Sequence, residues 1–185
     1  VTALSAVSRQ VVVLQASWEF ADEVIKRGSR IFPEEELKTL YACIQCGTCV
    51  GDCPSGRRTA WRIRHIIRKT QLGMREAVLS DETLWNCTTC YTCQERCPRG
   101  VATTDVIRII RNIAFEEGYA LERHLAVARN FAKIGHAIPI TDEVKEKRKR
   151  LGLLPVPPTT LSYPKALSEV QKIIEIDGFL KKIQR

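Results

Sequence analysis

CIQCGTCVGDCP, residues 43–54, recurs as CTTCYTCQERCP at residues 87–98. Both stretches read C-x2-C-x2-C-x3-C-P. Together they use all eight cysteines of the 185-residue chain: Cys43, Cys46, Cys49 and Cys53, then Cys87, Cys90, Cys93 and Cys97. The spacing has a chemical reading. Three thiolates separated by two residues each can wrap one corner of an iron–sulfur cubane and take three of its irons. The fourth cysteine follows too soon to reach the remaining iron, and the proline after it turns the chain away. Two runs therefore predict two 4Fe–4S clusters. Structural zinc usually takes two C-x2-C pairs and needs neither a third cysteine in phase nor the Cys-Pro. A disulfide framework belongs to oxidising compartments, and three thiols in one short loop suit a metal centre better.

The runs resemble those of bacterial ferredoxins, in which the fourth cysteine ligates the other cluster. Carried over by that resemblance, Cys43, Cys46, Cys49 and Cys97 hold one cluster, and Cys87, Cys90, Cys93 and Cys53 hold the second. The crossing staples the two halves of the domain together.

Hydrophobic residues make up 44% of the chain, enough for a modest core, so the clusters are expected to supply part of the folding free energy. The longest aliphatic run, Val11-Val12-Val13-Leu14, falls far short of the roughly 20 residues of a membrane span. The first residues lack the basic region and apolar stretch of a secretory signal. A soluble, cytoplasmic, reducing setting is expected, with no membrane partner. The formal charge is +8 with the thiols counted neutral. Eight thiolates and two oxidised cores bring the loaded protein to about +4. The basic residues lie on separate predicted helices, a poor pattern for nucleic acid.

The coarse pattern is mainly α. Ser17 reads as a cap for a helix carrying Trp18, Ala21, Val24 and Ile25 and ended by Gly28. Pro33 and Glu34-Glu35-Glu36 start the next helix. Thr59 reads as the cap of a helix over about residues 60–72, with Ile63, Ile66 and Ile67 buried and Arg58, Arg62, His65 and Lys69 on a solvated or docking face. Ser80-Asp81-Glu82 opens a short helix into the second run. Thr103 or Thr104 caps a helix burying Val106, Ile109, Ile110 and Ile113, stopped by Gly118. A shift of 44 residues superposes these units: Leu40 on Leu84, each first-run cysteine on its second-run counterpart, Pro54 on Pro98, Gly56 on Gly100, Thr59 on Thr103, Ile63 on Ile107, Arg64 on Arg108 and Ile66 on Ile110. A pseudo-two-fold, α-helical ferredoxin domain is the natural architecture for such a repeat.

Beyond it, helices are expected at residues 119–134 and after Thr141. Pro155 to Pro164 form an extended linker, followed by a helix over 165–176 and a polar tail. The expected organisation is residues 1–30 as arm and helix, 31–118 as the cluster domain, 119–152 as a helical extension and 153–185 as linker and C-terminal helix. Ile173, Ile174, Ile176, Phe179 and Leu180 are expected to bury against another subunit. No phosphate-binding loop or catalytic triad is evident, so no catalytic residue is assigned. His65, His124 and His136 are scattered.

The segments YACIQCGTCVGDCP and WNCTTCYTCQERCP, 44 residues apart between helical extensions, resemble the C-type iron–sulfur subunit of heterodisulfide reductase over about residues 17–150. The same module resembles part of the iron–sulfur subunit of succinate dehydrogenase and fumarate reductase. Those chains add a 2Fe–2S domain whose cysteines are missing here, and the CCG motif of other fusions is also missing. The resemblance implies a relay of electrons from a flavin-containing, bifurcating A-type subunit to a catalytic B-type subunit, which reduces the CoM-S-S-CoB heterodisulfide in methanogenesis. It also implies contact, through the A-type partner, with a hydrogenase or formate dehydrogenase. Related complexes serve sulfur oxidation, sulfate reduction and acetogenesis. Three asparagines and 27% charged residues lean toward a thermophilic source.

Overall fold

The computed structural model describes residues 16–184, so the expectation for Val11-Val12-Val13-Leu14 lies outside the described residues. Among these the secondary structure is helical, with no strand. In chain order the elements are α1 (Glu19–Gly28), α2 (Glu34–Lys38), a 3₁₀ turn (Thr39–Ala42), α3 (Thr48–Gly51), α4 (Ile63–Gln71) and α5 (Arg75–Leu79). A second 3₁₀ turn (Glu82–Asn86), α6 (Thr92–Glu95) and α7 (Thr103–Glu116) follow. Then come α8 (Glu122–Ile134), α9 (Asp142–Arg150), a 3₁₀ turn (Thr160–Ser162), α10 (Pro164–Ile176) and α11 (Phe179–Ile183). No described helix is long and apolar enough to cross a membrane.

The chain divides into two compact units, residues 1–110 and 111–185, the division falling inside α7. In the first unit the repeat is visible in the backbone. α3 and α6 are offset by 44 residues, and each follows a 3₁₀ turn leading into a cysteine run. Leu37, Leu40, Trp61, Ile63, Ile66, Ile67, Leu84, Val106 and Ile107 are all at most 1% exposed and form its apolar interior. Their burial leaves the cysteine loops outside the core, held by the helices that start and end them.

Several local expectations need correction. Trp18 is 51% exposed and sits edge-on to Tyr41, while Phe20 takes the buried place on α1. Ser17 does not cap α1, whose N-cap is Trp18 without a side-chain bond. The helix after the first run begins at Ile63 rather than near residue 60. The Thr59 hydroxyl donates to Ser55 O and accepts from Trp61 N, and so serves the preceding turn. Arg62 is not part of a solvated face. Its Nη1 donates to the carbonyls of Gly56, Thr59 and Trp61 at 2.7–2.9 Å and pins that turn. Thr103 and Thr104 do not cap α7 with their hydroxyls. Gln94 does so instead: its Oε1 accepts from Thr104 N at 3.0 Å and Asp105 N at 3.4 Å. Asp81 caps the second 3₁₀ turn through Thr83 N, as its position predicts.

In the second unit Thr141 caps α9 by accepting from Val144 N, as expected. The proline-rich stretch is pinned rather than free. Thr160 Oγ1 donates to the carbonyls of Ile134 and Gly135 at the end of α8. Gly135 is left-handed, and a Cβ there would stand 2.5 Å from the Thr160 hydroxyl. The polar tail carries a further short helix, α11. Ile174 and Ile183 pack with Ala132, flanked by Phe115, Ala128, Val170 and Phe179. Ile174 and Phe179 therefore bury within this chain, while Ile173, Ile176 and Leu180 are exposed.

Candidate metal centre

Each cysteine run folds the same way because matching positions share the same backbone bend. Gln45 and Thr89 have positive φ, 59° and 52°, and so do Gly47 and Tyr91, 91° and 63°. Both pairs are related by 44 residues. Left-handed residues at these points curl each loop on either side of its second cysteine and lead into the four-residue helix that carries the third. Glycine adopts that conformation without strain. Tyr91 is held there: its hydroxyl donates to Asp105 at 2.8 Å and accepts from Arg108 at 2.7 Å.

The loops bring thiols of both runs together. One cavity is lined by Cys43, Cys46, Cys49 and Cys97, with Ile44, Arg64, Pro98 and Arg99 around them. Cys53 does not line it. Two residues after Cys53, Ser55 Oγ donates to Asn86 O at 2.6 Å, next to Cys87. α3 and α6 pack against each other and set Cys49 beside Cys93. Among the described residues no three His, Cys, Asp or Glu side chains converge on a point that would hold a single ion. The sulfurs surround a space instead. Four thiols around such a cavity, on loops with matched bends, fit a 4Fe–4S group.

The protonation chemistry of the thiols is uneven. Hydrogen bonds from Thr48 hold the Cys46 thiol below its ordinary range, and Thr92 does the same for Cys90. Burial, and then the neighbouring Cys93, Cys43, Cys46 and Cys97, push Cys49 up to about 11. Thiols must lose their protons to bind iron, so the exposed Cys46 and Cys90 are the easier ligands to ionise. Gln45 Nε2 donates to Cys43 Sγ at 3.3 Å, and Gly56 N donates to Cys53 Sγ at 3.2 Å. Arg64 reaches across the first loop, donating to Gln45 O at 3.4 Å.

Reading the sequence alone missed Thr48, Thr92 and Gln94 as site residues. The first two were detectable, since Thr48 and Thr92 are identical at the 44-residue offset. Gln94 was not: it replaces Val50 of the first half, and only the folded loop puts its amide at the start of α7.

This fold and thiol arrangement define an iron–sulfur protein of the 4Fe-4S dicluster class, and the family model of that name matches residues 39–101. Relatives carry the assignment further. The iron-sulfur C subunit of CoB–CoM heterodisulfide reductase from Methanopyrus kandleri is 51% identical over 165 residues, covering 89% of this chain and 86% of the relative. The C subunit of the H2:CoB-CoM heterodisulfide,ferredoxin reductase of Methanothermobacter marburgensis is 53% identical over 76% of each chain. The C subunit of the ferredoxin:CoB-CoM heterodisulfide reductase of Methanosarcina mazei is 46% identical, covering 79% of this chain and 94% of the relative. The chain belongs to the family of C-type iron–sulfur subunits of heterodisulfide reductase.

Proposed function

We propose that this chain relays electrons through two 4Fe–4S clusters within a cytoplasmic heterodisulfide reductase complex. The electrons pass from a flavin-containing, bifurcating A-type subunit to a catalytic B-type subunit that reduces the CoM-S-S-CoB heterodisulfide. The observation that carries this reading is the cavity lined by Cys43, Cys46, Cys49 and Cys97, where thiols of both runs meet. In this reading Cys87, Cys90, Cys93 and Cys53 form the second set. Each cluster, when bound, accepts and releases one electron at a time. The chain's own residues bind and tune. The eight thiolates hold iron, the curled loops fix their spacing, and Arg64 and Arg99 place positive charge beside the first set. With every thiol committed, this chain performs no bond-breaking step and serves the oxidoreductase as a non-catalytic subunit.

The relatives' names give different electron donors: hydrogen for the Methanothermobacter protein and ferredoxin for the Methanosarcina protein. The donor is therefore set outside this subunit, and contact with a hydrogenase or formate dehydrogenase runs through the A-type partner. Residues 31–118 form the cluster-bearing module in this proposal, and the remaining segments serve assembly.

Anaerobically purified protein is expected to contain about eight irons per chain and to co-purify with A-type and B-type subunits without nucleic acid. Replacing Cys53 with serine is expected to damage mainly the second-run cluster, and replacing Cys97 the first-run cluster. Four irons per chain, or zinc in their place, would end the two-cluster reading. The opposite pattern in the serine variants would reject the crossing.

A further inference from the structure

The pseudo-symmetry breaks at the third cysteine of each run. Cys93 is 8% exposed, and two hydroxyls close on its sulfur, Thr103 Oγ1 at 3.2 Å and Thr104 Oγ1 at 3.3 Å. Both threonines are themselves buried, at 2% and 1% exposure. The matching positions in the first half are Thr59 and Ala60. Thr59 spends its hydroxyl on Ser55 O and Trp61 N, and Ala60 has none. Among the described residues no hydroxyl bonds to the Cys49 sulfur. Thr48 lies 3.4 Å from Cys46 and Thr92 lies 3.4 Å from Cys90, and Thr88, which replaces Ile44 of the first half, adds a further hydroxyl beside Cys90.

The asymmetry has a local cause. α7 begins at Thr103, whereas the equivalent α4 begins at Ile63, four positions later on the 44-residue offset. Gln94 makes the early start by capping the helix, and its counterpart Val50 has no polar atom to do so. The first turn of α7 thereby delivers both threonines to Cys93.

We propose that Thr103 and Thr104 raise the reduction potential of the cluster that Cys93 holds. A ligating thiolate carries no hydrogen, so both hydroxyls donate to it. Reduction adds negative charge to the cluster and its sulfurs. Donors to those sulfurs stabilise the reduced form more than the oxidised one, and burial strengthens the effect. The first half is tuned by charge instead. Arg64 lines the Cys43 cavity with no carboxylate partner among the described residues. Its counterpart Arg108 is tied to Asp105 at 3.5 Å. The two halves of one repeat are thus adjusted by different physics.

The inference rests on Cys93 being a cluster ligand and is independent of the crossing. The test uses the full chain, with iron and acid-labile sulfide assayed before an EPR-monitored redox titration. Valine at both positions keeps the branched shape and removes the hydroxyls; serine at both keeps the hydroxyls. Thr103→Val with Thr104→Val is expected to retain iron and to lower one midpoint while the other stays put. The expected size is about a tenfold fall in the reduced-to-oxidised ratio at fixed potential, 59 mV for a one-electron couple. The serine variant is expected to keep the wild-type midpoint. A valine variant with both clusters and both midpoints within twofold in ratio of wild type would overturn the inference. So would loss of the cluster from the valine variants with retention in the serine ones, since the hydroxyls would then serve assembly. Wild-type protein without iron would instead sink the ligation reading beneath it.

Discussion

Gly47 and Tyr91 occupy the same point of the two cysteine loops, and each meets the left-handed backbone in its own way. Gly47 needs no help at φ 91°. A Cβ there would find open space, its nearest neighbour being Arg64 Nη1 at 3.7 Å, so crowding is not the constraint. The constraint is the backbone. Replacing Gly47 with alanine is expected to cost about 1–2 kcal/mol from backbone strain alone. It should speed loss of iron from the first-run cluster under a chelator, read as faster bleaching of the cluster absorbance. Unchanged bleaching would mean that the loop relaxes to another bend. Tyr91 withstands the same conformation because Asp105 and Arg108 hold its hydroxyl, and Gln94 Nε2 in turn holds Asp105 at 2.8 Å.

Among the elements, α1 meets the middle of α7 at a glycine. Gly28 closes α1 and is buried. A Cβ built on it would stand 2.1 Å from Ile109 Cδ1 and 2.6 Å from Leu37 Cδ1. The sequence suggests only that this glycine ends a helix. In the fold it also permits contact between elements roughly 80 residues apart. Gly28→Ala is expected to destabilise the first unit by about 1–3 kcal/mol through overpacking, measured as a lower denaturant midpoint. Pairing it with Ile109→Val, which opens space at the contact, should recover part of the loss. An unaltered midpoint in the single variant would show that Ile109 turns aside at no cost. On the other side of α1, Arg75 on α5 grips Glu23 through two bonds of 2.7 and 3.0 Å. The cluster domain is therefore clamped by a helix that lies before the repeat.

At the scale of the whole molecule, the two units have separate sources of stability. The first holds the larger apolar core and, in the proposed function, the clusters, whereas the second has a small apolar core in which Ile174 is 7% exposed and Phe115 stacks on Phe179 at 6.5 Å. Ile174→Ala is expected to cost about 2 kcal/mol or more and to lower the melting of the second unit, with the iron content of the first unchanged. Loss of iron in that variant would show that the units fold as one. This core also changes how the C-terminal tail is read. Ile174 and Phe179 are spent inside the chain, so a truncation at residue 152 would remove a core as well as a tail. From sequence alone, periodicity finds apolar residues and cannot say which surface covers them. The cysteine spacing, the 44-residue repeat and the helical class were legible by themselves, because each rests on neighbours a few positions apart along the chain. Ligand spacing in a short loop is almost a covalent property. Tertiary structure alone decided that Gln94 rather than a threonine caps α7. It also decided that Thr103 and Thr104 meet Cys93 while Thr59 turns away from Cys49. These contacts join residues that only packing brings together, and identical letters at matched positions fold into different environments when a capping side chain changes nearby.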